Sequence, residues 1–161
     1  MRKLIARSGL MWLWLALFVM LADRVSKLWI VNHLTLSDSL SVLPVFNLTL
    51  AYNTGAAFSM LHNASGWQNI FLCSLAFLVS VAILYKLVTL PKNERLMGLA
   101  LSLILGGALS NAWDRIQYGY VIDFLHFHLE DWHFEIFNVA DSAICVGAFM
   151  LLGYWMVWKK V

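Results

Sequence analysis

The sequence is poor in charged residues and cysteines and has no basic stripe. Only 12% of its 161 residues are Asp, Glu, Lys or Arg, about half the usual share in soluble domains, so an ordinary soluble domain is excluded. Cys73 and Cys145 each lie in an apolar run without a CxxC motif, so neither a disulfide framework nor a cysteine nucleophile is indicated. The missing basic stripe argues against a nucleic-acid partner. GxSxG, SxxK and P-loop motifs are also absent, so a serine nucleophile has little support. We expect no cofactor.

Hydrophobic residues instead make up 61% of the chain and gather in four long runs. Each run is near the roughly 20 residues that a helix needs to cross a bilayer. The runs cover approximately residues 10–30, 67–88, 96–113 and 140–158. The first resembles a secretory signal peptide, but no small-x-small cleavage site follows, so we interpret it as a retained helix. The pattern predicts one integral membrane domain over residues 1–161, an all-α bundle of four transmembrane helices.

The distribution of basic residues predicts the orientation of the bundle. Lysine and arginine are absent from residues 32–66 and 116–139, but they occur before the first run, between the second and third, and at the end of the chain. Basic loops favour the cytoplasmic side of a membrane. We therefore expect both termini and the 89–95 turn to be cytoplasmic, in a multi-pass membrane protein.

The two outer segments, approximately residues 33–66 and 114–139, predict a small extracytoplasmic β element. Phe46 to Asn53 alternates apolar and polar residues, which is the period of a half-buried strand. Tyr120 to Phe137 is rich in aromatic and β-branched residues, with Glu130-Asp131 as a turn. This element is expected to rest on the outer ends of the helices.

Three carboxylates from three different helices reach the same depth. At about 1.5 Å of rise per residue, Asp23, Asp114 and Asp141 lie roughly 24–28 Å from the basic residues at the opposite ends of their runs. Ionisable residues at membrane depth are costly and mark a functional site by default. The sequence therefore predicts a polar site at the outer interface.

Asp123 and Asp141 are the predicted catalytic pair. Two carboxylates held close together share a proton, so that one acts as a base towards water while the other donates to the substrate carbonyl. Asp141 also follows Asn138, a predicted helix N-cap, so stabilisation of the helix start is an alternative explanation for it. The helix dipole would keep Asp141 the more acidic member, which leaves Asp123, expected on a mobile loop, as the holder of the proton.

The other polar residues have structural alternatives. Asp114-Arg115, expected at the end of the third run, are either site residues or an interfacial anchor, and Asn111 lies one turn earlier. Asp23 and Lys27 share a helix face, which also suits a salt bridge. His126, His128 and His133 lie near acidic residues, but their spacing matches no familiar zinc pattern, so we expect no metal.

Five motifs, in order and covering nearly the whole chain, closely resemble those of the bacterial lipoprotein signal peptidases (signal peptidase II). They are Asp23-Arg24-x-x-Lys27, Tyr52-Asn53-x-Gly55-Ala56-Ala57-Phe58, Gly106-Gly107-Ala108-x-x-Asn111-x-x-Asp114-Arg115, Val121-Ile122-Asp123-Phe124 and Phe137-Asn138-Val139-Ala140-Asp141. Ser110 stands where the family usually has glycine, and its small size should preserve close helix packing.

The resemblance implies a membrane aspartic endopeptidase that removes signal peptides from diacylglyceryl-modified prolipoproteins. It would cleave before the lipidated cysteine at the outer face of the bacterial cytoplasmic (inner) membrane, and it would be inhibited by globomycin. We expect the chain to be a monomer in contact with membrane lipid. Asp123 and Asp141 match the family's catalytic dyad. The positions that match substrate-binding or supporting residues are Asn53, Gly55, Asn111, Asp114, Arg115, Asn138, Ala140, Asp23 and Lys27.

Two other classes of protein explain the sequence less well than a peptidase does. A small transporter or channel subunit would carry polar residues through the membrane midplane, yet the middles of the second and fourth runs hold only Cys, Ser and Gly besides hydrocarbon side chains. Internal repeats are not evident either. A scaffold protein gives no reason for carboxylates to converge from several segments. The peptidase explains both the apolar spans and the polar outer layer.

Overall fold

The structure is a computed structural model that describes residues 8–55 and 67–157. Within these ranges, four helices are long and apolar enough to cross a membrane. They are α1 (Leu13–His33, preceded by a 3₁₀ turn over Gly9–Trp12), α2 (Trp67–Thr89), α3 (Arg95–Tyr118) and α4 (Val139–Val157). The predicted four-helix membrane bundle is confirmed, while the cytoplasmic location of its termini stays a prediction.

The third helix is longer than its apolar run. It continues to Tyr118. The next residue, Gly119, caps the helix, because it adopts the left-handed conformation (φ 81°) and donates its N–H to the Arg115 carbonyl. Asp114 and Arg115 thus lie inside α3, and the expectation that they end it was wrong. The apolar pattern stops at Trp113, but the Asp114 carboxylate is fully buried against cations of α1, so the helix tolerates it.

α3 forms the centre of the bundle and packs against each of the other three helices. Glycines allow this close approach, because a Cβ atom on Gly106 would lie 2.6 Å from the Ala16 carbonyl oxygen of α1. A Cβ atom on Gly107 would collide with the Ala140 carbonyl of α4. The three helices around α3 expose large apolar side chains such as Phe18, Phe77 and Phe149, as expected for surfaces that face lipid.

We expect Gly107→Ala to destabilise the bundle by about 1–3 kcal/mol, because the new methyl group must displace backbone rather than a flexible side chain. Thermal unfolding in detergent should show a midpoint several degrees lower. Gly153→Ala is the matched control, because nothing lies within 4 Å of its added Cβ atom. Equal midpoints for the two variants would contradict the assigned packing.

Four strands form one antiparallel sheet in the described residues, in the order β1-β2-β3-β4. They are β1 (Ser39–Leu43), β2 (Phe46–Asn53), β3 (Val121–Leu129) and β4 (Trp132–His133). The predicted strand and the Glu130-Asp131 turn are confirmed. β1 was not predicted, because all five of its side chains are exposed and leave no half-buried alternation.

The sheet rests on the bundle through a small apolar cluster. Leu50 of β2 and Ile122 and Phe124 of β3 pack with Ile30, near the end of α1. Asp123 therefore lies within a strand, and its expected position on a mobile loop was wrong. The first four residues of β3 are all buried, which removes the alternating pattern that would have marked a strand.

Candidate active site

Two cations of α1 neutralise two carboxylates inside the bundle. The Lys27 ammonium lies 2.6 Å from Asp23 Oδ2 and 2.8 Å from Asp114 Oδ2, and all three side chains are completely buried. The Arg24 guanidinium donates to the other oxygen of Asp114. The cluster holds two positive and two negative charges, so its formal charge is zero. Pairing of this kind offsets the cost of removing ions from water.

Asp23 also fixes the start of α4. Its Oδ1 atom accepts a hydrogen bond from the Ala140 backbone N–H at 2.9 Å, and its Oδ2 atom accepts one from the Ser110 hydroxyl at 2.7 Å. The predicted Asp23–Lys27 pair is present, but its role extends beyond neutralisation, because it connects three helices. Ser110 fits between α1 and α3 and supplies a hydroxyl donor there.

Asn111 connects the buried charge cluster to Asp141. Its Oδ1 atom accepts from the Lys27 ammonium at 3.1 Å, and its Nδ2 atom donates to Asp141 Oδ1 at 2.7 Å. An ammonium can only donate and an ionised carboxylate can only accept, so these partners determine the orientation of the amide. Lys27 therefore aims the Asn111 N–H group at the carboxylate.

Asn138 lies between Asp123 and Asp141 and bonds to both residues. Its Nδ2 atom donates to Asp123 Oδ1 at 2.6 Å, while its Oδ1 atom accepts from the Asp141 backbone N–H at 2.8 Å. In return, Asp141 Oδ2 accepts from the Asn138 backbone N–H at 3.2 Å. This reciprocal pair is a capping box at the start of α4. Asp141 thus stabilises its helix, as the structural alternative held, and still directs a carboxylate oxygen to Asn111.

Asp123 is held from both sides and is almost fully buried, with 2% of its surface exposed. Asn53 Nδ2 donates to its Oδ2 atom at 3.0 Å, opposite the Asn138 bond. Burial, followed by the nearby charge of Asp141, raises the pKa of Asp123 to about 7, although hydrogen bonds from Asn53 and Asn138 and the charge of Lys27 oppose the rise. Near neutral pH, Asp123 therefore exchanges its proton readily.

Arg115 joins the loop after β2 to α3. Its guanidinium donates to the Gly55 carbonyl at 2.8 Å and to the Asn111 carbonyl at 3.3 Å, and the Gly55 N–H donates to Asn53 Oδ1 at 2.9 Å. Arg115 thereby supports Asn53, which contacts Asp123. No carboxylate pairs with Arg115 within the described ranges. Ala56, Ala57 and Phe58, which follow in the same motif, lie outside those ranges.

The structure brings all eleven predicted site residues into one connected network, together with three residues that were not predicted as site residues. Arg24 donates to both Asp114 and the Tyr118 hydroxyl, and Ser110 donates to Asp23. Arg24 directly follows Asp23 inside an apolar run, which was a usable signal. Tyr118 had none, because it lies beyond the expected end of its helix.

The three histidines lie away from the network. Side chains alternate along a strand, so His126 and His128 face away from Asp123. His126 Nε2 lies 3.1 Å from His133 Nδ1 and its Nδ1 lies 3.1 Å from the Thr49 hydroxyl. In residues 8–55 and 67–157, no three His, Cys, Asp or Glu side chains are arranged to hold a metal ion.

The network provides the elements of general acid–base chemistry. One carboxylate exchanges a proton near neutral pH, and a second carboxylate is partly exposed. Asn138 bonds to both, because its carboxamide donates to Asp123 and its backbone N–H donates to the Asp141 carboxylate. Such a pair can take a proton from a water molecule and deliver another to a substrate oxygen.

Comparison with known sequences gives the family. Residues 15–157 match the sequence model of signal peptidase II. The chain is 50% identical over 147 residues to a lipoprotein signal peptidase of Coxiella burnetii, and the match covers 91% of this chain and 90% of the relative. It is 46% identical over 152 residues to a lipoprotein signal peptidase of Yersinia enterocolitica, with coverage of 94% and 90%.

Solved structures agree with this result. Two structures of a bacterial membrane enzyme, determined by the in meso method, match the fold. The first has a TM-score of 0.82 and 31% sequence identity, and the match covers 91% of this chain and 87% of the solved chain. The second has a TM-score of 0.80 and 29% identity, and the match covers 91% of this chain and 93% of the solved chain. The fold and the family define a multi-pass membrane peptidase of the aspartic type. The chain belongs to the signal peptidase II family, as its five motifs predicted.

Proposed function

We propose that Asp123 and Asp141 are the catalytic dyad that cleaves diacylglyceryl-modified prolipoproteins before the lipidated cysteine. The observation that carries this assignment is the shared Asn138 carboxamide, which bonds to Asp123 and caps the helix turn of Asp141. The pKa of Asp123 near 7 supports its role as the proton-bearing member. Asp141 acts as the base towards water, and Asp123 donates its proton to the scissile carbonyl as the tetrahedral intermediate forms.

The remaining site residues position this dyad. Asn53, Asn111 and Asn138 orient the two carboxylates, and Lys27 orients Asn111. Gly55 and Arg115 support Asn53. Asp23 fixes the start of α4 by accepting a hydrogen bond from the Ala140 N–H, and Asp114 pairs with the two cations of α1. Because these bonds lead to the two carboxylates directly or through their asparagine partners, the network suits preorganisation of the reacting groups.

The dyad lies at the outer end of the bundle when both termini are cytoplasmic, as positive charge in the loops favours. The substrate is itself anchored in the membrane, so it approaches sideways through lipid, and its cleavage site reaches the dyad at the extracytoplasmic face of the cytoplasmic membrane. The chain acts as a single domain over residues 1–161 and as a monomer. A globomycin-type inhibitor binds at the same site and competes with the prolipoprotein.

The test is cleavage of a diacylglyceryl-modified prolipoprotein by the purified full chain in detergent. Mass spectrometry should place the cut directly before the modified cysteine, and globomycin should prevent it. An intact substrate after incubation with a well-folded protein would overturn the proposal, as would a cut at another position.

The pH profile should report the proton on Asp123. The raised pKa means that Asp123 is protonated below about pH 7 and loses its proton above it, so kcat/KM should fall by about tenfold per unit on the alkaline side. Asn53→Ala removes a hydrogen bond that favours the ionised form, so its alkaline limb should move to higher pH. Asn47→Ala, on the same strand, is the control. An alkaline limb that does not move in Asn53→Ala would contradict the assignment of the proton to Asp123.

A further inference from the structure

A cavity of about 210 Å³ lies at the end of the bundle opposite the dyad. It is formed where α2 ends, α3 begins and α4 ends. Its walls include Lys86, Leu90, Glu94, Met97, Tyr154 and Trp155. The volume is several times the roughly 30 Å³ of a liquid water molecule, so the cavity admits an organic side chain.

Glu94 has an unusual position for an acidic residue of this chain. Of the nine acidic residues, it is the one that belongs to the turn between α2 and α3, whereas the others occur in the outer segments or at the outer helix ends. It occupies the N-cap position of α3 but makes no side-chain capping bond. Its carboxylate accepts from the Tyr154 hydroxyl at 2.8 Å instead. No lysine or arginine of residues 8–55 and 67–157 pairs with it.

The cavity and the dyad lie near opposite ends of α3, and α3 and α4 contribute residues to both. Both α2 and α4 pack on α3, but contacts between α2 and α4 are few at most. The helical rise from Asp141 to Tyr154 is about 20 Å, and from Glu94 to Asn111 about 25 Å. A helical peptide lying beside α3 therefore spans the two sites with roughly 14 to 17 residues.

A signal peptide has the length and charge to fill this span. It carries a positively charged n-region followed by an apolar h-region of about 7–15 residues, and the cleavage site comes next. With the cleavage site at the dyad, the n-region reaches the level of Glu94. We propose that the Glu94 cavity binds a lysine or arginine side chain from the n-region of the substrate's signal peptide, with the Glu94 carboxylate as counter-ion. This inference rests on the proposed function.

A lipid phosphate is the competing occupant, because Lys86 also lines the cavity. The Glu94 carboxylate would repel a phosphate. The Tyr154 hydroxyl already donates to Glu94, so it is not available to an anion. A cation would be repelled by the Lys86 ammonium but would meet the Glu94 carboxylate, which no lysine or arginine of the described ranges pairs with.

The experiment compares two diacylglyceryl-modified prolipoproteins that differ only in the n-region, one with lysines and one with glutamines in their place. The full chain is assayed in nanodiscs of neutral phosphatidylcholine. For Glu94→Gln, we expect KM for the basic substrate to rise about three- to tenfold. Its KM for the neutral substrate and kcat for both substrates should match the wild type, because Glu94 lies far from the reacting groups.

Tyr154→Phe is the matched control. It removes the bond between α4 and Glu94 but keeps the carboxylate, so the preference for the basic substrate should persist. A Tyr154→Phe variant that reproduces Glu94→Gln would assign Glu94 a purely structural role and overturn the inference. An equal change in KM for both substrates in Glu94→Gln, or no change, would also overturn it.

Lys86→Gln tests whether a lipid phosphate occupies the cavity instead. A higher KM for both substrates in Lys86→Gln, seen only when anionic phospholipid is added to the nanodiscs, would assign the cavity to a lipid headgroup and overturn the inference. Failure of the wild-type chain to cleave either substrate would instead overturn the proposed function itself. The two failures are therefore distinguishable.

Discussion

Asp123→Asn and Asp141→Asn should each lower kcat by at least about 10³-fold while the protein stays folded. An amide cannot exchange the proton that the reaction requires, so the effect reaches the scale seen when a catalytic acid or base is removed. The fold should survive, because an amide oxygen still accepts a hydrogen bond from Asn138 at either position. Cleavage of the lipid-modified precursor under single-turnover conditions measures the loss.

Asp131→Asn is the matched control for both variants. Asp131 is an exposed carboxylate in the turn between β3 and β4, so the same change of charge should leave kcat unaltered. Near-normal activity in either dyad variant would refute the assigned pair, and the buried Asp114 carboxylate would be the next to examine. Loss of activity accompanied by loss of thermal stability would indicate a structural role instead.

Lys27→Met should produce the largest loss of stability among single substitutions in the site. It leaves Asp23 without a cationic partner and Asp114 with Arg24 alone, although both carboxylates are completely buried. Removing one partner of a buried ion pair typically costs about 3–5 kcal/mol, which corresponds to a fall of roughly 10 °C in the unfolding midpoint of a chain this long. Thermal unfolding in detergent, followed by circular dichroism, measures the change.

The charge balance of the cluster provides a sharper test of the same prediction. A double variant that adds Asp23→Asn to Lys27→Met removes one charge of each sign and leaves the Arg24–Asp114 pair in place. Part of the lost stability should return. Lys92→Met, at an exposed position in the turn before α3, should leave the midpoint unchanged. A double variant less stable than Lys27→Met alone would show that charge balance does not control the stability of the cluster.

Sequence reasoning predicted the helices because a membrane span is a local property. Twenty apolar residues identify a span without reference to any other part of the chain. The same holds for β2, where the alternating positions Leu48 and Leu50 pack in the apolar cluster with Ile30 of α1. β1 and the end of α3 were missed because their structure depends on distant partners. β1 is exposed and pairs with β2, and the last turns of α3 contain a carboxylate neutralised by α1.

The candidate site was predicted as a set of residues but not as a network. Depth along the helices placed Asp23, Asp114 and Asp141 at one level, because helical rise is regular. The position of Asp123 relative to Asp141 depends on the path of β3 and on pairing with β2, which spacing alone does not encode. The contribution of Ser110 was also hidden, since its donor role exists only where α1 meets α3.

The buried cation cluster also has a consequence for how the protein is made. Arg24 and its partner Asp114 are separated by 90 positions along the chain. At synthesis rates of about 5–20 residues per second, the nascent chain carries Arg24 and Lys27 for roughly 5–18 seconds before Asp114 emerges. During that interval α1 has two cations and a single carboxylate, so one of its positive charges has no partner within the helix. Full neutralisation of Arg24 and Lys27 therefore waits until α3 has been made and Asp114 can reach them.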